Sequence, residues 1–396
     1  MELAERLSRV SEPQTIKMSK LSRELKAKGI DVIDLSIGEP DFDTPRHIKD
    51  AAIKAIEEGY THYTPVAGYP ELREAVVHKF KRDNQLQFSP EQIVVSTGAK
   101  QSIANAMLSL VNEGDEVIIP APYWVSYADI ARLARGKVKL VYCAMEQQYK
   151  ILPQQLEEAI TDRSRVIIFS SPCNPTGSVY SRQELAALAQ VLEKHPQLYI
   201  ISDEIYEYIN YSGGHESIGQ FQQLKERLII VNGLSKGFAM TGWRLGYIAA
   251  PLSIAKACEK MQSQFTSGTC SITQRAGITA LQGDLAPSRA MTAEFRDRRD
   301  FLVAALGQVT GMRITPPDGA FYLFPDVSEL YGLSDGKTVI GDSDDLGMYL
   351  LHQGRVSAVA GSAFGAPSCI RFSYAASIDK LRAAAERIAS AVAALH

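Results

Sequence analysis

The chain has 396 residues, of which 45% are hydrophobic and 22% charged, with a formal net charge of -3. That length exceeds what one core usually supports, so two domains are expected, and the near-neutral balance gives no general attraction for nucleic acid or an anionic membrane. The five cysteines, Cys143, Cys173, Cys258, Cys270 and Cys369, form no C-x-x-C pair, which argues against a disulfide framework or a thiolate zinc site and fits a reducing cytoplasm.

The first residues, MELAERLSRV, are charged and amphipathic rather than a secretion signal, and no apolar run approaches the ~20 residues of a membrane-spanning helix. Up to roughly residue 45 the chain shows few elements of its own and is expected to pack with the C-terminal part. Short apolar runs then alternate with helical stretches: IVVST (93–97), EVIIPA (116–121), VKLVY (138–142), RVIIFSS (165–171), LYIISDE (198–204), LIIVNG (228–233) and RLGYIAA (244–250). They are β-branched, nearly continuous and bounded by Gly, Pro or Asp, as strands buried on both faces are. Between them AKQSIANAMLSLV, SRQELAALAQVLEKH and SIAKACEKMQSQF carry helical periodicity. The expected fold is three-layer α/β/α with a mostly parallel central sheet, spanning 46–285, with ligands gathered at the strands' carboxyl ends. From 286 a charged helical run, FYLFPDV, VSAVAG, IRFSY and a final amphipathic helix suggest a smaller α+β domain of residues 1–45 and 286–396. Asp342, Asp344 and Asp345 begin like a calcium loop, but Leu346 stands where an oxygen ligand is needed and Gln353 where the bidentate Glu is needed, so this stretch reads as a solvated loop and no metal site is expected.

Six segments could carry chemistry. In STGAKQS (96–102) a strand ends at Gly98 and a helix begins, whose free N–H groups suit phosphate. In PAPYWVSY (120–127) Trp124 could stack on an aromatic ligand or simply fill a core. SSPCNPTGSVY (170–180) makes an irregular turn through Asn174, Pro175 and Gly177. Asp203 in ISDEIY (201–206) lies where a buried strand runs out, as a functional carboxylate or a helix N-cap. In VNGLSKGFAMTGWRLGY (231–247) Lys236 follows a strand, and Arg244 stands between Gly242 and Gly246, where backbone can approach an anion closely. Arg371 lies between Ile370 and Phe372 and needs an anionic partner if buried.

Singly, each of these has a structural explanation; their order does not. Ile37-Gly38-Glu39-Pro40-Asp41, Tyr63-Thr64-Pro65 through Gly68, Ser96-Thr97-Gly98, Asn174-Pro175-Thr176-Gly177, Asp203-Glu204-Ile205-Tyr206, Ser235-Lys236 to Arg244-Leu245-Gly246, and Arg371-Phe372-Ser373 follow one another along nearly the whole chain. In this the sequence resembles the fold-type I pyridoxal-phosphate-dependent aminotransferases of class I/II, and among them the prokaryotic aspartate aminotransferases.

The resemblance implies pyridoxal 5'-phosphate as cofactor and transfer of the amino group of L-aspartate to 2-oxoglutarate. It implies that Lys236 holds the cofactor as a Schiff base and shuttles the Cα proton. Asp203 would pair with the ring nitrogen, Asn174 and Tyr206 with the ring's phenolic oxygen, and Trp124 would lie against one ring face. Gly98, Ala99, Lys100, Ser235 and Arg244 would line the phosphate side, with Tyr63 reaching the cofactor of a partner subunit, hence a homodimer. Arg371 would clamp the substrate α-carboxylate with help from Gly38, beside Trp124 and Asn174; Thr15 and Lys100 would take the distal carboxylate. A lysine that acts as a base needs its pKa lowered, and burial near Arg371 and Arg244 works in that direction.

The same scaffold could host a transaminase of aromatic amino acids or prephenate, a decarboxylase or a C–S lyase. A cofactor-binding regulator would carry a separate DNA-binding domain ahead of the Gly38 region, for which there is no room. A nicotinamide dehydrogenase would need G-x-G-x-x-G, which does not occur.

Overall fold

Runs of Val and Ile pair into sheets because branched side chains fit a pleated, buried surface. The computed structural model describes residues 3–396. The central sheet contains β2 (Ile93–Ser96), β3 (Glu116–Ala121), β4 (Lys137–Tyr142), β5 (Ser164–Ser170), β6 (Tyr199–Asp203), β7 (Leu228–Gly233) and β8 (Gly246–Ala249). Its order is β2-β8-β7-β6-β5-β3-β4, parallel except that β8 runs against both of its neighbours. All seven apolar runs are strands. The last begins at Gly246 rather than at Arg244, whose φ of 56° is left-handed and incompatible with a strand.

The helices before the sheet are α1 (Gln14–Ala27), α2 (Arg46–Glu57) and α3 (Pro70–Lys79). Those between its strands are α4 (Ala99–Leu110), α5 (Ser126–Leu133), α6 (Pro153–Ala159) and α7 (Arg182–Glu193), followed by α8 (Leu252–Phe265) and α9 (Ser271–Gln282). Alternate residues of each strand feed opposite cores. Val95, Ile118, Ile167, Ile200 and Ile230 pack with α3, α7 and α9, whereas Val94, Val117, Ile119, Val166 and Ile229 pack with α4, α5 and α8. Three layers result.

A further core gathers Ile33 and Leu35 with Phe295 of α10 (Ala286–Leu306), Leu346 of α11 (Ser343–Tyr349) and Leu381 of α12 (Ile378–Ala393). Here β1 (Ile33–Asp34) pairs in parallel with β10 (Val356–Ser357), and β9 (Tyr322–Leu323), β11 (Val359–Ala360) and β12 (Ile370–Ser373) form an antiparallel sheet in the order β11-β12-β9.

Two expectations are corrected. The N-terminal segment is not poor in structure: a 3-10 turn at Glu5–Arg9 and the four-turn α1 precede β1. Only Met18 and Ser22 of α1 are buried, so the helix lacks the apolar stripe by which it could be read. Nor is the acidic stretch a loop. Asp342 caps α11, its Oδ1 accepting from the Asp344 and Asp345 N–H groups at 2.8 and 2.9 Å.

Candidate active site

The carboxyl ends of β5, β6 and β7 open onto a cavity of about 410 Å³. Asp203, the last residue of β6, is 4% exposed. No helix starts behind it, so it is not an N-cap. Tyr127, in the first turn of α5, donates its hydroxyl to Oδ2 at 2.6 Å, and the Ile205 N–H donates to Oδ1 at 3.2 Å. Burial pushes the carboxyl up to about 6, against the pull of these two bonds, and the Glu204 charge adds to the rise.

Lys236 stands three residues beyond β7, and its Nζ donates to the Gly38 carbonyl. Burial pushes the amine down to about 8; Glu39 opposes this, while Arg371 and Arg244 reinforce it. The surrounding loop is stitched to the N-terminal segment. Thr44 Oγ1 donates to the Ala239 carbonyl at 2.6 Å, Trp243 Nε1 donates to Thr44 Oγ1 at 3.0 Å, and Thr241 Oγ1 donates to Glu39 at 2.9 Å.

Asn174 leaves β5 in a turn that packs against residues 317–319: a Cβ on Gly177, where φ is 68°, would lie 2.3 Å from Pro317 Cβ. This close approach is what the glycine permits. The turn presents the Asn174 amide to β12, where Arg371 is 1% exposed. Arg371 Nη1 donates to Asn174 Oδ1 at 2.8 Å and Nη2 to the Ser36 carbonyl at 2.7 Å, while Nε has no partner. The rings of Tyr322 and Phe364 lie 4.4 and 4.9 Å from the guanidinium. Burial lowers its pKa. Both hydrogen-bond partners are neutral, and among the described residues no carboxylate pairs with it. Tyr206 shares a hydrogen bond of 2.7 Å with Tyr322.

On the other side, α4 starts at Ala99, after Gly98 with φ 86°. A Cβ on Gly98 would come within 2.4 Å of Arg244 Nη2, so the missing side chain leaves the room the guanidinium fills. Arg244 Nη1 donates to the Thr241 carbonyl at 2.9 Å. The two glycines that flank Arg244 differ in their surroundings. Gly246 serves packing, because a Cβ there would sit 2.2 Å from the Ala99 nitrogen, and Gly242 has nothing within 4 Å. Lys100 places its ammonium 5.0 Å from the Trp124 ring centroid; burial and the nearby Arg244 lower its pKa. Trp124 is half-buried and packs edge-on against Tyr127, centroids 5.4 Å apart, so it joins the core and faces the cavity at once.

The cavity thus brings together Thr15, Gly38, Ala99, Lys100, Trp124, Asn174, Asp203, Tyr206, Ser235, Lys236, Arg244 and Arg371. Gly98 lies beneath Arg244 rather than in the lining, and Tyr63 is 99% exposed outside it. Tyr127, Tyr322, Ser36, Glu39 and Thr241 also line it, and sequence reasoning assigned them nothing. The first two are aromatic residues that look like core; only their hydroxyl partners set them apart.

Pyridoxal phosphate has three handles, and the residues present fit each. The start of α4 with Arg244 offers donors for a phosphate, Asp203 offers a buried acceptor for a ring N–H, and Lys236 offers an amine of lowered proton affinity. The comparisons agree. The description Aminotransferase class I and II matches residues 30–388. The Petunia hybrida bifunctional aspartate aminotransferase and glutamate/aspartate-prephenate aminotransferase is 48% identical over 397 residues, 98% of this chain and 82% of its own. The crystal structure of the aspartate aminotransferase from Rhizobium meliloti superposes with a TM-score of 0.97 at 41% identity, covering 100% of both chains. That of the Thermus thermophilus aspartate aminotransferase with maleate gives 0.92 at 39%, covering 99% of this chain and 100% of the other. A family description matched over most of the chain, with relatives and solved structures matched from end to end, makes this chain a member of the class I and II aminotransferases.

Proposed function

We propose that this pyridoxal-phosphate-dependent aminotransferase moves the amino group of L-aspartate to 2-oxoglutarate, both substrates using one cavity in turn. The observation that carries the reading is the buried guanidinium of Arg371, held by two neutral acceptors and lacking an anionic partner among the described residues. Such a fork receives a carboxylate bidentately.

When bound, the cofactor supplies an electrophilic carbonyl for the amino group and an electron-withdrawing ring. Asp203 would hold the ring N–H, its carboxylate oriented by Tyr127 and the Ile205 N–H. Asn174 and Tyr206 would hold the phenolic oxygen, Trp124 would pack against the ring, and Ala99, Ser235 and Arg244 would bind the phosphate, with Gly98 giving Arg244 its room and Lys100 alongside. Lys236 would be the amine that holds the cofactor and the base that takes the substrate's Cα proton and returns it, a task that a pKa of about 8 suits near neutral pH. Arg371 takes the α-carboxylate beside the Gly38 backbone. Thr15 and Lys100 take the distal carboxylate, in keeping with the dicarboxylate maleate named in the Thermus thermophilus structure.

Tyr63, 99% exposed and not among the lining of its own cavity, is assigned to the phosphate site of a second copy, making the working unit a homodimer. Residues 46–285 would be the cofactor domain, and 1–45 with 286–396 the domain that closes over the substrate. The name of the Petunia hybrida relative favours prephenate as an additional amino acceptor. Mixing cofactor-loaded protein with aspartate and no acceptor tests the reading. The visible band should shift to that of the pyridoxamine form with one oxaloacetate per site, whereas ammonia or carbon dioxide in its place would overturn it.

A further inference from the structure

The residue that follows Asp203 opens a second, enclosed polar cluster that the reaction does not use directly. Glu204 is 1% exposed. Its Oε1 accepts from Ser202 Oγ at 3.0 Å and Ser217 Oγ at 2.7 Å, and its Oε2 lies 2.9 Å from His215 Nε2. The His215 side chain is 6% exposed. One turn on, Glu207 accepts from Lys79 Nζ at 2.5 Å and Asn84 Nδ2 at 3.2 Å, with Asp83 4.0 Å from the same ammonium and Arg82 paired to Asp83 in turn.

Ligand atoms of Glu204, Glu207 and His215 lie within 4.8 Å of one another, a metal-like grouping. The buried Lys79 ammonium already answers Glu207, however, and a divalent ion would be repelled by it. What remains is Glu204, for which His215 is the sole cationic partner among the described residues. Burial opposes a charge on the imidazole, but the Glu204 and Glu207 carboxylates outweigh it and Lys79's repulsion, and raise its pKa. On its other side Asp203 faces Tyr127, Lys236 and Cys173 as well as Glu204.

We propose that His215 is a positioning residue for the aminotransferase: by pairing off Glu204 it keeps the neighbouring Asp203 ionised against the cofactor's ring nitrogen. The inference rests on the role given to Asp203 above. Without His215, the Glu204 charge stands unanswered beside Asp203 and makes Asp203 take up a proton more readily. A protonated Asp203 cannot hold a ring N–H.

The test is the pH at which holoenzyme loses half its cofactor to equilibrium dialysis, read by absorbance. In His215→Gln this midpoint should rise by about half a pH unit or more, and in the double variant Glu204→Gln/His215→Gln it should return to the parent value or below. A midpoint unmoved in the single variant, or equally raised in the double one, overturns the proposal, since a purely structural histidine predicts no rescue. Should the single variant not fold, Glu204→Gln alone should lower the midpoint, and a midpoint that stays or rises counts against it. Asp203→Asn is the control: if it keeps its cofactor as the parent does, the role of Asp203 falls instead.

Discussion

Arg371 and Asn174 meet across the cavity, the guanidinium on β12 donating to the amide beyond β5 at 2.8 Å. The amide aims the cation without neutralising it. Arg371→Lys keeps the charge and loses the fork, so kcat/KM for aspartate should fall on the order of 100-fold, about 3 kcal/mol. Cofactor content, measured by absorbance, should stay at the parent level. An equal loss of both would place Arg371 in the fold rather than in substrate binding.

Lys236 reacts with an aldehyde only as the free amine. Because its pKa is pushed from 10.5 down to about 8, the rate at which cofactor-free protein takes up pyridoxal phosphate should climb about tenfold per pH unit below 8 and flatten above it. Stability carries the opposite face of the same shift. Between about 8 and 10.5 the unfolded chain binds more protons at this site than the folded one, so folding strengthens as pH rises. Lys236→Met should abolish both trends, as stopped-flow absorbance and denaturant titrations at several pH values would show.

Gly98→Ala places a methyl 2.4 Å from Arg244 Nη2 at a φ of 86°. The guanidinium must move, and the left-handed backbone adds a strain of about 1 kcal/mol or more. Cofactor affinity should weaken at least about tenfold, while affinity for a substrate-like dicarboxylate in the reloaded protein changes little. Dialysis against graded cofactor concentrations measures this.

Lys100→Ala should raise the KM for aspartate far more than that for an apolar amino acid, because only the former brings a second carboxylate. Equal effects on both would remove Lys100 from substrate recognition.

The sheet was legible because strands buried on both faces carry their signal locally, in unbroken Val and Ile runs such as LIIVNG. Lys236, Asp203 and Arg371 were each ambiguous alone, as a loop lysine, a helix cap or a buried cation, and only the order of the motifs around them set them apart. Helix α1 was not, since its exposed faces leave no apolar periodicity. Tyr127 and Tyr322 were invisible for another reason. A tyrosine in a core and a tyrosine hydrogen-bonded to a buried polar side chain look alike until the partner, 76 positions away for Tyr127 and 116 for Tyr322, is brought beside it. The same holds for His215, whose partner Glu204 lies 11 positions back across a loop.

The stitching of Gly38, Glu39 and Thr44 to the loop that carries Lys236 has a consequence for traffic. Those two stretches form one wall that cannot part without breaking several bonds together. Helix α1 also lines the cavity, through Thr15, Ile16, Ser19 and Arg23, yet buries only two residues of its own. Amino acids should therefore enter and leave beneath α1, by its tilting away as a hinged flap, and a tether fixing that helix should slow exchange of product before it slows proton transfer.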